Sequence, residues 1–266
     1  MADIQLAPAP WKLKGRSWSF FVTALSSKSS FPAGWCSAYE AEALSTGGEF
    51  IGGLGVVQAS SRFQLSVEST HSSILQIISY SESPVGPYDE LVYVPGRWKY
   101  ADEKTAFRIT QIYVSSKEST LNGRKNWNIP KRIANFSIKP GSSSGATDIS
   151  VSLPGASAPF FKASIKPITI LSSLSVRAST SLLGSYFGLM QPPLPAGPEP
   201  EEIATTQWAA LLPVLKGSAS FRKLVPELDG KIGDGKGFPA VVPWSVGFTM
   251  ENLDMDFGVS TTYDTV

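Results

Sequence analysis

Hydrophobic and polar residues alternate along most of this chain with a period of two, the repeat that a half-buried strand imposes on its two faces. Residues 62–68 place Phe63, Leu65 and Val67 on one side. Residues 105–114 set Phe107 and Ile109 on one face and, after a change of phase, Ile112 and Val114 on the other. Residues 158–166 alternate Phe161, Ala163 and Ile165. Val246, Phe248 and Met250 alternate, then Leu253, Met255 and Phe257 resume one step out of phase. That slip predicts a bulge near Glu251 and Asn252, a device that curves a strand around a barrel. Further strands are expected over residues 17–24, 74–80, 91–94 and 148–153.

Helical patterns are few. Residues 201–216 carry acids in the first turn, Ile203, Trp208 and Leu211 at helical spacing, and Gly217 beyond the end. A helix is expected there, kinked or shortened by Pro213. A shorter one is expected over residues 119–126. The Pro-rich run 191–200 reads as a stiff connection, and PGSSSG at 140–145 as a hairpin loop. The glycines of GGEFIGGLG at 47–55 resemble a dinucleotide loop only in spacing, because strand-like Val56-Val57-Gln58 follows where a helix is required. Close backbone packing in a curved sheet explains them better. No internal repeat is present. The pattern predicts a mainly β chain, one domain over residues 1–266, built as a curled antiparallel sheet or β-barrel with a few short helices.

The length, 266 residues, suffices for a substantial core. Charged residues make up 17% of the chain against roughly a quarter in a usual domain, which predicts large buried sheets or contacts within a homo-oligomer. A net charge of +1 gives no general attraction to nucleic acid or to an anionic membrane. No window approaches the roughly 20 consecutive apolar residues of a membrane span. Cys36 is the lone cysteine, so no intramolecular disulfide forms, and a cytoplasmic location is expected. His71 is the lone histidine. A Gly-x-Ser-x-Gly match would make Ser143 a nucleophile, but the strand-like TDISVSL follows it where the elbow needs a helix. One histidine and one cysteine also make a poor zinc set, so neither a metal nor a cofactor is expected.

Chemistry concentrates in residues 113–136, YVSSKESTLNGRKNWNIPKRIANF. Lys131 is bracketed by Pro130 and Arg132. Pro130 fixes its own φ and biases Ile129 toward extended backbone, which defines the direction of the lysine. Burial lowers a lysine pKa by up to roughly three to five units and a neighbouring cation adds to that, so Lys131 is expected to be partly neutral. A neutral amine attacks carbonyl carbon. The plain alternative for Lys131 is a structural cation paired with Glu118.

These residues resemble the acetoacetate decarboxylase-like proteins. The shared pattern is Gly123-Arg124, five intervening positions (KNWNI), then Pro130-Lys131-Arg132, with Tyr113 ten residues before the glycine. Glu90, in GPYDE, stands at the position of an upstream acid, and Arg16, in KGRSWSFF, at that of an arginine before an aromatic strand. The resemblance covers residues 83–136 and extends to the N-terminus through Arg16. It implies that Lys131 forms a Schiff base with a ketone or β-keto acid, the protonated imine then acting as an electron sink, as known for acetoacetate decarboxylase with its cation-activated lysine. It further implies that Glu90 positions the substrate and shuttles protons, and that Arg16 orients Glu90 or clamps the substrate. Arg132, Tyr88, Tyr113 and Trp127 would contact the substrate. Arg132 stands where the family carries lysine, and the Gly- and Ser-rich stretch 36–72 departs from the family's short helix and acidic loop. An apolar, aromatic lining suits a substrate more hydrophobic than acetoacetate.

Three activities are consistent with these residues. The first is a lysine-dependent C–C lyase, most simply a β-keto acid decarboxylase. The second is a cyclase (pericyclic or imine-based), aldolase or dehydratase of secondary metabolism, acting on a polyketide or terpenoid intermediate in the same barrel. The third is a non-catalytic binder of apolar small molecules.

Overall fold

The period-two segments form strands. In the computed structural model, residues 4–23, 31, 33–59, 65–168 and 175–266 are described. β1 (Trp11–Thr23) precedes a short helix, α1 (Ala41–Ser45), and then β2 (Glu49–Gly52), β3 (Leu54–Ala59) and the long β4 (Leu65–Glu82). β5 (Tyr88–Val94), β6 (Arg97–Lys99), β7 (Thr105–Phe107) and β8 (Gln111–Val114) lead into α2 (Lys117–Trp127). Then come β9 (Lys131–Ile133), β10 (Asn135–Pro140), β11 (Thr147–Ser152), β12 (Phe161–Pro167) and β13 (Val176–Ser179). After a 3-10 segment, Thr180–Phe187, follow β14 (Leu189–Gln191), β15 (Trp208–Leu211), β16 (Val214–Pro226), β17 (Pro243–Phe257) and β18 (Thr261–Tyr263).

Among the described residues the strands make two sheets. The larger has 12 strands and follows the path β10-β11-β12-β16-β17-β1-β4-β5-β8-β9, with β3 added on β4 and β13 on β16. It is mostly antiparallel and nearly closed, as a barrel, and only β8 and β9 in it run parallel. The smaller has 6 strands in the order β18-β15-β14-β7-β6-β2. Alternation gives the large sheet two faces. Trp18, Leu75, Ile77, Leu91 and Tyr93 pack on one, and Ile78, Val92, Met250 and Met255 on the other, against Phe107 and Ile109.

The bulge forms where the change of phase predicts it. Gly15 lies opposite Leu253 and Ser17 opposite Met250, so Glu251 and Asn252 together face Arg16, and Asn252 takes a positive φ of 50°. Met250 and Met255 therefore stay in one core across the slip. The single strand expected over 105–114 is instead two. β7 belongs to the small sheet and β8 to the large one, so Phe107, Ile109, Ile112 and Val114 all reach one core despite the change of phase. The GSSSG run is the loop of the β10–β11 hairpin, and strand β3 follows the Gly-rich run, as expected. The strand predicted over 62–68 starts at Leu65, residues 62–64 lying outside the described residues.

The helix expected over 201–216 does not form. Trp208–Leu211 pairs with β18 and β14, and Val214–Pro226 pairs with β17. Pro213 lacks the amide that a helix interior needs, and the connection it makes redirects the chain from one sheet to the other. The acids that read as a helix N-terminus have other work: Glu201 pairs with Lys117 and Glu202 with Arg132. The second predicted helix is α2. Ser116 caps it by accepting from the Ser119 amide at 3.1 Å, and Arg124 and Lys125 complement its C-terminal dipole. Asn128 ends it in the left-handed region, and Pro130 prevents resumption. No described helix is long and apolar enough to cross a membrane.

Candidate active site

Lys131 opens β9, whose parallel pairing puts it beside Ile112 of β8, with α2 alongside. Its side chain runs along α2 at Gly123. A Cβ at that glycine would lie 2.5 Å from Lys131 Cδ and 2.8 Å from Cε, so only glycine leaves the passage open. The ammonium ends in a closed polar niche and is 5% exposed. Nζ donates to Glu90 Oε2 at 2.8 Å, to Ser119 Oγ at 3.0 Å and to Tyr88 Oη at 3.4 Å. Tyr80 Oη donates to the other carboxylate oxygen of Glu90 at 3.4 Å. Glu90 comes from β5 and Ser119 from the first turn of α2, so strand and helix meet at one nitrogen.

The electrostatics differ from expectation. Burial pulls the Lys131 ammonium down, but Glu90 and Tyr88 outweigh it and hold the pKa above its ordinary 10.5. Burial pushes the Tyr88 phenol up to about 12, against the pull of Lys131. Tyr80 is raised well above its ordinary range by burial and by Glu90. The predicted activation by Arg132 is absent for a geometric reason. Adjacent strand residues point to opposite faces, so Arg132 leaves the niche. Its guanidinium donates to both oxygens of Glu40 at 2.8 Å and lies 3.4 Å from Glu202. Arg124, fully buried, joins the same knot, donating to Glu40 at 2.9 Å and to the carbonyls of Ile203 and Pro195.

Beside the niche lies an apolar cavity of about 240 Å³ between the sheets. Phe21, Ile74, Val92, Phe107, Phe187, Leu215, Phe248 and Met250 are part of its wall, with Ser17, Ser19, Gln76, Thr180 and Glu90 as its polar groups. A second void of about 20 Å³ touches Lys131, Glu90, Tyr80, Tyr88 and Trp127. Glu90 borders both spaces and stands between cavity and lysine.

Of the residues singled out by sequence, the structure brings Lys131, Glu90, Tyr88 and Trp127 together. Trp127 packs edge-on to Trp11 and donates from its indole nitrogen to Gly258 O at 2.8 Å. Arg16, Arg132 and Tyr113 are placed apart from them. Arg16 is about half exposed, 3.8 Å from Glu251 and over the Trp18 ring, on the face opposite Ser17. Tyr113 lies across β8 from Ile112 and donates to Gly237 O at 2.6 Å. Ser119, Tyr80 and Glu40 went unnoticed in the sequence. The spacing of Ser119 and Gly123, one helical turn apart before Lys131, is the signal that would have found the serine. No cluster of three or more His, Cys, Asp or Glu suited to a metal occurs among the described residues.

Solved structures of similar shape span nearly the whole chain. The acetoacetate decarboxylase of Legionella pneumophila matches with a TM-score of 0.56 at 11% identity, over 99% of this chain and 92% of that one. The chain has the acetoacetate decarboxylase-like fold. The enduracididine biosynthesis enzyme MppR matches at 0.56 and 13% identity, over 97% of this chain and 88% of that one. An acetoacetate decarboxylase-like enzyme from Sphingomonas wittichii RW1 matches at 0.56 and 10% identity, over 98% and 95%. No family model matches the chain, and no curated protein matches it in sequence. It is a divergent form of the acetoacetate decarboxylase-like fold, whose shape persists at identities where sequence comparison finds nothing.

Proposed function

We propose that this chain is a lysine-dependent enzyme of carbon–carbon bond chemistry, activating a carbonyl substrate as an imine on Lys131 with Glu90 as proton-transfer partner. The observation that carries this reading is the buried Lys131–Glu90 pair at 2.8 Å, with Glu90 forming the boundary to an apolar cavity. As a carbonyl group enters beside Glu90, the ammonium passes one proton to the carboxylate. The neutral amine adds to the carbonyl carbon and passes one N–H proton to the new oxyanion. Glu90 returns its own proton to the resulting hydroxyl, and water leaves as the protonated imine forms. Tyr88 and Ser119, both within hydrogen-bond reach of Nζ, hold the nitrogen in place through these changes. Loss of CO2 or of an α-proton to Glu90 then yields an enamine. After loss of CO2 the enamine carbon takes a solvent proton relayed by Glu90. After loss of an α-proton to Glu90 the enamine attacks a second carbonyl, whose oxygen takes that proton back. In both cases water hydrolyses the imine to release the product and the amine. No cofactor enters these steps.

The cavity favours the second branch, aldol-type condensation, dehydration or cyclisation of a hydrophobic ketone. A β-keto acid needs a cation for its carboxylate, and none of the described residues lining the cavity is lysine or arginine, Arg16 included. MppR, which shares the fold, has been solved with the condensation product of pyruvate and imidazole 4-carboxaldehyde.

Borohydride reduction in the presence of acetoacetate or methyl heptyl ketone tests the imine directly. A covalent adduct on Lys131, absent in Lys131→Met, is expected. An active enzyme that traps no ligand, or retains activity as Lys131→Met, would leave a cavity that works by shape alone.

A further inference from the structure

We infer that the cavity carries a second binding point, formed by Ser17, Ser19 and Gln76, for an uncharged oxygen of the substrate placed far from the reacting carbonyl. This rests on the imine reading for where the carbonyl sits, and the binding point itself does not. Ser17 is 1% exposed, lines the cavity, and its hydroxyl has no hydrogen-bond partner among the described residues. A buried hydroxyl without a partner is costly, and a ligand oxygen that pairs with it removes that cost. Next along β1 on the same face, Ser19 accepts from Gln76 Nε2 at 3.1 Å, which leaves the amide a second N–H and its carbonyl oxygen for pairing. These three groups form a polar strip on a wall that is apolar apart from Thr180 and Glu90.

The register sets the distance. Ser17 lies opposite Ile78 of β4, and Ile78 lies opposite Glu90 of β5. Ser17 and Glu90 are therefore in line across three neighbouring strands, roughly 10 Å apart at the backbone. The substrate this arrangement fits is a chain or ring system, apolar over most of its length, with a carbonyl at Glu90 and a hydroxyl or second carbonyl about two strand spacings away. A free carboxylate is disfavoured at either end, since Glu90 is the cavity's charged group among the described lining residues. Such a substrate would come from reactions that build carbon chains with oxygen at intervals.

Calorimetric titration without reductant tests this, using methyl heptyl ketone, its counterpart with a terminal hydroxyl, and the chain-matched β-keto acid. The hydroxylated ketone should bind the wild-type protein at least about tenfold tighter than the plain ketone, and the acid more weakly than either. Ser17→Ala and Gln76→Leu should each bring that ratio toward one while leaving the plain ketone within about threefold. Equal binding of the two ketones by the wild type, discrimination that survives both substitutions, or tightest binding of the acid would overturn the inference. The ratio measured in Lys131→Met separates the two claims. If discrimination persists there while the wild type traps no adduct with borohydride, the imine reading fails and the binding point stands.

Discussion

Lys131 and Arg132 are neighbours in sequence and opposites in space. The lysine enters a niche bordered by Glu90, Ser119 and Tyr88, next to the apolar cavity, while the arginine enters a knot of buried ions around Glu40. The same division recurs one element earlier. Gly123 lies against the lysine side chain and Arg124 bonds Glu40. The Gly-Arg and Lys-Arg pairs thus each send one residue to the niche beside the cavity and one to the ion knot around Glu40. The knot ties α1's approach, α2, β9 and the Pro-rich connection together, through Glu40, Arg124, Arg132 and the carbonyls of Pro195 and Ile203. A second cation beside the lysine in sequence does not activate it here, because the strand turns that cation to the other face.

Substitutions that strike one side of this division should leave the other intact. Arg124→Met strips Glu40 of a fully buried partner and leaves two carbonyls unpaired, and should cost about 3–5 kcal/mol in urea unfolding. Gly123→Ala places a methyl group where Lys131 passes. It should cost only about 1–3 kcal/mol of stability yet reduce reductive trapping at Lys131 at least tenfold, read by mass spectrometry. The smallest effect is on pH dependence. Lys131 titrates above its ordinary 10.5 when folded, so its stabilising contribution is complete below that pH and is lost as pH rises through the raised value. Alkaline unfolding monitored above pH 10.5 should therefore be steeper in the wild type than in Lys131→Met.

The sheet was legible because alternation is a local signal, and even the bulge announced itself through the change of phase at Glu251 and Asn252. The failed helix over 201–216 shows the limit of that signal. Acids followed by an apolar run satisfy helix rules, while the partners that decided otherwise, Lys117 and Arg132, lie far away in sequence. In the candidate site, spacing and resemblance singled out Lys131 and Glu90, which the fold brings together as a buried pair. Which face each residue takes was not legible, since a one-residue step reverses it, and Arg16, Tyr113 and Arg132 lie on faces turned away from the Lys131 niche. Glu40 gave no sign because its role is fixed by two arginines about 90 residues on.

The pH dependence of borohydride trapping at Lys131, compared across wild type, Glu90→Gln and Arg132→Met, tests the central claim most directly. Without the carboxylate that raises the lysine, Glu90→Gln should trap ligand at lower pH than the wild type, while Arg132→Met should follow the wild-type curve. An adduct whose midpoint moves in Arg132→Met and not in Glu90→Gln would contradict the account, as would an adduct on any residue other than Lys131.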